Sequence, residues 1–204
     1  MDIPHRTTSI PDEAFWGCSI LISVTLPEGL LYIGFNAFRS SPLTGVVIPA
    51  SVNSWGDYAF YQCGSLASIT LSPGLTTIGY GAFINTAITS LVIPASVTYW
   101  GSDAYGYGNF QSCNSLTALT LSDGLTTVGA YSFYLCESLS TIIIPKSLTT
   151  WSSDSFPSGA TLTTAMPSSV PTVTPTAEPS VQPSSQPTNT PEGKTVCQMN
   201  PSTT

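Results

Sequence analysis

Charged residues are scarce in this chain of 204 residues and make up only 7% of it. Clustered Lys and Arg are needed to bind nucleic acids or anionic membrane surfaces. The only basic residues here, Arg6, Arg39, Lys146 and Lys194, are scattered, and the net charge is −7. The chain also lacks a run of about 18 apolar residues, the length that a membrane-spanning helix requires. The sequence therefore predicts no nucleic-acid partner and no transmembrane segment.

Groups for catalysis and metal binding are equally scarce. The single histidine is His5, so a nucleophilic Ser or Cys has no obvious base to activate it. No CxxC pair is present, which disfavours a zinc site. Asp57, Asp103 and Asp154 recur at nearly the same phase without companions, and we interpret them as loop or turn caps. We predict no enzyme activity, no cofactor and no metal.

A regular recurrence of phenylalanine is the main positive signal. The successive spacings are 23, 22, 23, 27, 23 and 23 residues. The pattern [LI]-x-x-[LVI]-x-[LI] lies six times between these residues. A unit of this length cannot bury its own apolar face, so the units must stack around a shared core. The recurring residues are Phe15, Phe38, Phe60, Phe83, Phe110, Phe133 and Phe156.

The alternating end of this pattern predicts a short strand with its apolar residues pointing inward. Stacking then makes a parallel sheet along one side of a solenoid that we place at residues 15–160, with residues 1–14 as a partial N-terminal repeat. Pro49, Pro94 and Pro145 follow the strands and should end their pairing. Gly34, Gly79, Gly101 and Gly129 precede the phenylalanine step, where we expect tight turns.

Units of two kinds alternate along the chain, and the second kind carries a tryptophan, at Trp55, Trp100 and Trp151. The one irregular step is 27 residues long, and its extra residues lie within the segment 101–109. Insertions in solenoids often form loops on the binding face. Tyr105 and Tyr107, between glycines, are therefore a candidate contact loop, although these rings could equally stack back onto the solenoid.

These motifs resemble the BspA-like subclass of leucine-rich repeats. The resemblance rests on AF-x2-C-x2-L, L-x2-[IV]-x-L-P and L-x2-IG-x3-AF, as in AFWGCSILISVTLPEGLLYIGFNAF at 14–38. It implies a leucine-rich repeat solenoid with units of about 23 residues, a role in adhesion or protein binding at surfaces, and no catalytic residue. The tryptophan of alternate units departs from the aliphatic residue usual in the family, which leaves the packing at that position open.

Cysteine also recurs in phase, three residues after the phenylalanine, at positions 18, 63, 113 and 136. We interpret this row mainly as small buried apolar side chains. Cys113 and Cys136 lie in adjacent units and could instead form a disulfide, because stacked strands lie about 4.8 Å apart.

The outward positions of the predicted strands carry no charge. Thr and Val favour strands for ordinary reasons, but a neutral, patterned face also suits recognition of a protein or a glycan. A regular array of hydroxyl and methyl groups could even match a crystalline surface such as ice. The outward residues are Thr25, Val47, Thr70, Val92, Thr120 and Ile143, preceded two positions earlier by Ser23, Gly45, Ser68, Ser90, Ala118 and Thr141.

The composition changes at about Thr161, after which proline recurs at every fourth position from Pro167 to Pro191 among Ser and Thr. We predict that residues 161–204 form a disordered stalk or linker. The N-terminus shows no secretory signal. We nevertheless expect an extracellular or cell-surface protein from the low charge and the Ser/Thr content, and we expect that the chain lacks its true start, because the repeats are already under way.

Two functions follow from this pattern. The first is a non-catalytic protein- or glycan-binding module displayed at a cell surface. The alternative is a structural spacer within a larger multidomain surface protein whose activity lies elsewhere, since isolated solenoids need polar caps and none is obvious here.

Overall fold

The computed structural model describes residues 1–100 and 107–164, and these residues form a parallel β-solenoid in which each repeat makes one coil. The described part contains short strands and a single 3₁₀ helix, Ser153–Ser155, and it contains no α-helix. Each coil contributes a strand to one or both of two rows that run along the solenoid. The predicted repeat solenoid is confirmed.

The strands, numbered in chain order, are divided between the two rows. One row contains β1 (Ser9–Ile10), β2 (Tyr32–Ile33), β4 (Ser54–Trp55), β6 (Thr77–Ile78) and β8 (Tyr99–Trp100). The other, formed by the leucine-rich pattern, contains β3 (Gly45–Val47), β5 (Ser68–Thr70), β7 (Ser90–Ile93), β9 (Ala118–Leu121), β10 (Thr141–Ile144) and β11 (Thr161–Thr164). Every pairing between neighbouring strands in the described residues is parallel.

A stack of phenylalanine rings forms the centre of the core. The seven rings that recur in the sequence are all buried. Neighbouring rings lie 4.9–5.8 Å apart between centroids and are within 9° of parallel. Leucine, isoleucine and valine from both strand rows surround them in one continuous cluster. The rings are stacked one per coil, so each inner phenylalanine contacts the one above and the one below.

Tight turns flank the core phenylalanines, and most of them are made by residues other than glycine. At most of these phenylalanines the residues two positions before and two after the ring have a left-handed backbone, as at Tyr58 (φ 56°) and Gln62 (φ 57°) around Phe60. Gly101 lies outside the described residues. The other three glycines predicted to turn there, Gly34, Gly79 and Gly129, do not have positive φ. They lie instead where neighbouring coils approach closely, as a Cβ on Gly79 would be 2.5 Å from the carbonyl oxygen of Gly56. The predicted role of these glycines was therefore wrong.

The tryptophans of alternate coils fill the inward position of the shorter strand row, where the other coils have isoleucine or valine. Trp55 is paired in register with Ile33, and Trp100 with Ile78. Trp55 packs edge-on against Phe83, with ring centroids 5.5 Å apart. An indole therefore spans from the strand row to the phenylalanine stack, which accounts for the departure from an aliphatic residue.

A buried asparagine compensates for the irregular step after Trp100. Asn109 occupies the position before the core phenylalanine, where four earlier coils have alanine. Its Nδ2 donates to the carbonyl oxygens of Ile78 at 3.2 Å and Gly79 at 2.7 Å. The side chain thereby satisfies backbone acceptors of the preceding coil beside the insertion.

We expect Asn109→Ala to lower the free energy of unfolding by about 1–3 kcal/mol, because two buried carbonyl groups lose a donor. Asn114→Ala, which changes the same residue type at an exposed position, should alter it by less than about 0.5 kcal/mol. Urea denaturation followed by tryptophan fluorescence measures both variants, and equal values for the two would contradict this role.

The C-terminal boundary of the solenoid lies further along the chain than predicted. Thr161–Thr164 forms β11, which pairs in register with all four residues of β10. Assigning these four residues to a disordered stalk was therefore wrong, because the β10 edge offers free backbone partners that they complete. The rest of the predicted stalk, residues 165–204, lies outside the described residues.

Candidate binding face

The outward residues of the longer strand row form a solvent-facing line along the solenoid. We refer to Thr25, Val47, Thr70, Val92, Thr120 and Ile143 as the strand face. All six are exposed, and the three aliphatic residues are 68% (Val47), 56% (Val92) and 61% (Ile143) accessible. Their inward neighbours, such as Leu91 and Ile142, are buried. The alternation predicted from the sequence thus places these side chains in solvent.

Threonine and a β-branched aliphatic residue alternate from coil to coil along this face. Val47 pairs with Thr70, Val92 with Thr120, and Ile143 with both Thr120 and Thr163. This row consists of two sheet segments, β3–β5 and β7–β9–β10–β11. A hydrogen bond between the coils of β5 and β7 connects them, because the Thr89 amide donates to the carbonyl oxygen of Ala67 at 3.2 Å. β11 therefore extends the face by Thr163, which the sequence reasoning had assigned to the stalk.

A parallel line of small residues lies beside the strand face. Ser68 and Ser90 are exposed, as are Ser23, Ala118 and Thr141, and Gly45 is half-buried. Gly45 pairs with Ser23 on one side and with Ser68 on the other. Because these side chains are short, the surface along this line is recessed relative to the Val and Thr side chains of the strand face.

A groove of ≈ 380 Å³ opens where Gly45 interrupts this line. Thr25, Thr70 and Ser68 contribute hydroxyl groups to its walls, and Glu28 contributes a carboxylate. A Cβ on Gly45 would lie 2.5 Å from the Ser68 Oγ, so any larger residue would close the groove. The sequence pattern indicated neither Glu28 nor the groove. Glu28 lies outside the strand pattern, and the space left by the missing side chain of Gly45 becomes visible only when the coils are stacked.

The candidate tyrosine loop is only partly described. Tyr107 is half-buried, and its ring lies 6.4 Å from that of the buried Tyr80. This position favours the alternative that the ring packs back onto the solenoid. Tyr105 lies outside the described residues.

The in-phase cysteines are buried in a row beside the phenylalanine stack. Cys113 and Cys136 are free thiols, so the disulfide considered for this pair is absent from the structure. The Sγ of each donates instead to a carbonyl oxygen of the preceding coil, at Phe83 (3.2 Å) and Phe110 (3.1 Å). The side-chain contact with Cys113 and burial together raise the pKa of the Cys136 thiol. Burial raises the pKa of Cys63 as well, so both thiols stay protonated and unreactive at neutral pH.

The carboxylates of Asp57 and Asp12 accept hydrogen bonds from the backbone of the next coil. The Oδ1 of Asp57 accepts a hydrogen bond from the Tyr80 amide at 2.8 Å, and the Oδ1 of Asp12 accepts one from the Phe35 amide at 2.8 Å. Asp154 lies in the 3₁₀ helix, and Asp103 lies outside the described residues. Within residues 1–100 and 107–164, no group of three His, Cys, Asp or Glu side chains could hold a metal ion.

The stacked coils, the two parallel strand rows and the phenylalanine core define a leucine-rich repeat solenoid. A family model described as a BspA type leucine rich repeat region matches six copies over residues 1–109 and 104–177. The chain therefore belongs to the BspA-type leucine-rich repeat family. No helix in the described ranges is long and apolar enough to cross a membrane.

Solved structures of bacterial leucine-rich repeat proteins resemble this chain. The T. pallidum leucine rich repeat protein is 27% identical, with a TM-score of 0.62, and the match covers 69% of this chain and 66% of that one. A leucine-rich repeat protein from Eubacterium ventriosum is 21% identical, with a TM-score of 0.65 over 85% of this chain and 45% of that one. The chain thus spans less than two thirds of either protein. A search of curated sequences found no match.

Proposed function

We propose that this chain is a non-catalytic binding module that acts at a cell surface and contacts a protein or glycan through its strand face. The observation that carries the proposal is the uninterrupted exposure of neutral Thr, Val and Ile residues along the stacked coils. Val47, Val92 and Ile143 place exposed apolar surface on a single line, as an interaction surface would.

The side chains of this face are suited to binding because they are stiff. Val, Ile and Thr have restricted χ1 rotamers, so little side-chain entropy is lost when a partner covers them. Hydrogen-bonded strands and the phenylalanine stack hold their backbones. A preorganised face of this kind retains more of its interaction energy as affinity.

The neutral character of the face indicates the kind of partner. The strand face carries no charge that could pair with a charged partner. Glu28 is the one charged residue among those that line the groove. Hydroxyl groups of Thr25, Ser68 and Thr70 can donate and accept hydrogen bonds, as the hydroxyl groups of a glycan or the backbone of a protein would require. Surface display is supported by the Ser-, Thr- and Pro-rich composition of residues 161–204, which is typical of extended stalks.

A screen of the full chain on glycan and surface-protein arrays tests this proposal. The Thr70→Lys, Val92→Lys double variant should lose binding by at least ~100-fold, because covering an unpaired lysine costs about 3–5 kcal/mol. Its thermal unfolding should stay near that of the original chain, since both positions are exposed. Binding that survives in the folded double variant would remove the strand face from consideration, and a folded chain that binds nothing would favour the spacer alternative.

A further inference from the structure

A second surface with the chemistry of an interaction site lies in a different row of the coil, one residue after each core phenylalanine. Backbone hydrogen bonds align this row, since the Gly17 amide donates to the Arg39 carbonyl and the Ser40 amide donates to the Tyr61 carbonyl. Three successive coils therefore place an indole, a guanidinium and a phenol side by side. The row consists of Trp16, Arg39, Tyr61, Ile84, Gln111 and Tyr134.

The guanidinium of Arg39 is held between two aromatic rings. Its Cζ lies 5.0 Å from the centroid of the Trp16 ring and 4.7 Å from that of the Tyr61 ring. Both distances are within the range of a cation–π contact. The faces of both rings are thus turned toward Arg39, and the N–H donors of a guanidinium point outward along its edge, where a hydrogen-bond acceptor can approach.

The hydrogen-bonding capacity of Arg39 is largely unused within the described residues. A guanidinium carries five N–H donors. One bond connects Nη1 to the Oδ1 of Asn36 at 3.4 Å, and the enclosed Nε has no partner. In the part of the chain that the structure describes, no carboxylate lies within 4.0 Å to form an ion pair with Arg39. Among the described residues this cation thus has no counterion, in a chain whose net charge is −7.

The surroundings of Arg39 are aromatic and partly exposed. Trp16 and Tyr61 are each half-buried, and the Tyr58 ring packs edge-on against Tyr61 at 5.3 Å. Phe35, which is 39% exposed, packs edge-on against Tyr58 at 6.2 Å. The result is an apolar border next to a single preorganised positive charge.

We propose that Trp16, Arg39 and Tyr61 form a second interaction site that binds an acidic segment of a protein partner through an Asp or Glu carboxylate. A carboxylate matches the edge of a guanidinium with two parallel hydrogen bonds. Trp, Tyr and Arg are also the residues that dominate binding energy at protein–protein interfaces. A saccharide fits less well, because the ring faces that would stack on a sugar are turned toward Arg39. This site is independent of the strand face.

An array of short peptides rich in Asp, Glu and Leu, each paired with an Asn/Gln twin, tests this site with the full chain. Acidic peptides should bind and their neutral twins should not. Arg39→Gln should weaken the affinity for the strongest-binding peptide roughly 10- to 100-fold. The affinity of Arg39→Lys should lie between those of the original chain and Arg39→Gln, because lysine keeps the charge but lacks the planar guanidinium. Arg6→Gln removes the same charge at another exposed position and should leave the affinity unchanged.

Three results would overturn this second site. They are equal losses in Arg39→Gln and Arg6→Gln, equal binding of the neutral twins, and Arg39-dependent binding of sialyllactose without binding of acidic peptides. If Arg39→Gln fails to fold, the guanidinium N–H resonances of the original chain, followed during peptide titration, decide the question. A shift at Arg39 supports the site, and unchanged resonances contradict it.

Discussion

Phe83→Ala should lower the free energy of unfolding by about 3–5 kcal/mol, the range for deleting a fully buried phenylalanine. The Phe83 ring is stacked against Phe60 at 5.3 Å and Phe110 at 4.9 Å, and the Trp55 ring meets it edge-on. Each repeat of a solenoid is stabilised mainly by its neighbours, so a gap here weakens two coil interfaces at once. Urea denaturation followed by circular dichroism gives the value.

Phe35→Ala is the matched control for this substitution, because the same side chain is removed from a ring that is 39% exposed and outside the phenylalanine stack. We expect a loss of about 1 kcal/mol there. Similar losses in the two variants would show that the stack contributes nothing beyond ordinary burial and would contradict the account of the core.

Gly56→Ala should be the second strongly destabilising change, with a loss of about 3 kcal/mol. A Cβ at this position would lie 2.5 Å from the Phe35 amide nitrogen and 2.8 Å from the Gly34 carbonyl carbon. Both atoms belong to the backbone of the preceding coil, so no side-chain rotation relieves the clash and the coils must separate. Thermal and urea denaturation of the variant measure the effect.

Gly64→Ala provides the control for the glycine substitution. A Cβ on Gly64 would meet no atom within 4 Å, and its φ is not positive. The change should leave stability the same or raise it by about 0.4–1 kcal/mol through the unfolded chain. If Gly56→Ala were as stable as Gly64→Ala, the coils would have room for a Cβ at position 56. That result would contradict the close contact between coils described here.

The fold could be predicted from the sequence because its information is periodic. Phenylalanine at a spacing of about 23 residues requires stacking, and the L-x-L ending requires inward and outward alternation. These two rules placed Val47 and Val92 in solvent and their strand neighbours in the core, as the structure shows. The residue pattern of each repeat agrees with the stacked fold of the whole chain. Most of the fold can therefore be predicted without knowing which residues contact each other between coils.

Features that depend on the identity of the neighbouring coil could not be predicted. The groove at Gly45 exists because Ser23 and Ser68 are its partners in register. Arg39 has rings on both sides only because Trp16 and Tyr61 occupy the same phase one coil away. Aligning the repeats in phase would have revealed both, although the sequence gives no distance or exposure.

The prediction about glycine failed for a related reason. Turn chemistry suggested tight turns at Gly34, Gly79 and Gly129, but residues such as Tyr58 and Gln62 adopt the left-handed conformation. These three glycines instead allow close contact between coils. Continuous hydrogen bonding between coils holds these strained turns, as between the Gln62 amide and the Ile84 carbonyl at 2.9 Å. Tertiary stacking thus overrides local preference at these turns.

The most direct test of the strand face is a calorimetric titration of the ligand found in the array screen against two variants that carry the same added charge. Thr70→Lys, Val92→Lys alters the strand face, and Thr77→Lys, Tyr99→Lys alters paired outward positions on adjacent strands of the other row. We predict that the first variant loses at least ~100-fold in affinity and that the second binds like the original chain. Equal affinity of the two folded variants would contradict the assignment of binding to the strand face.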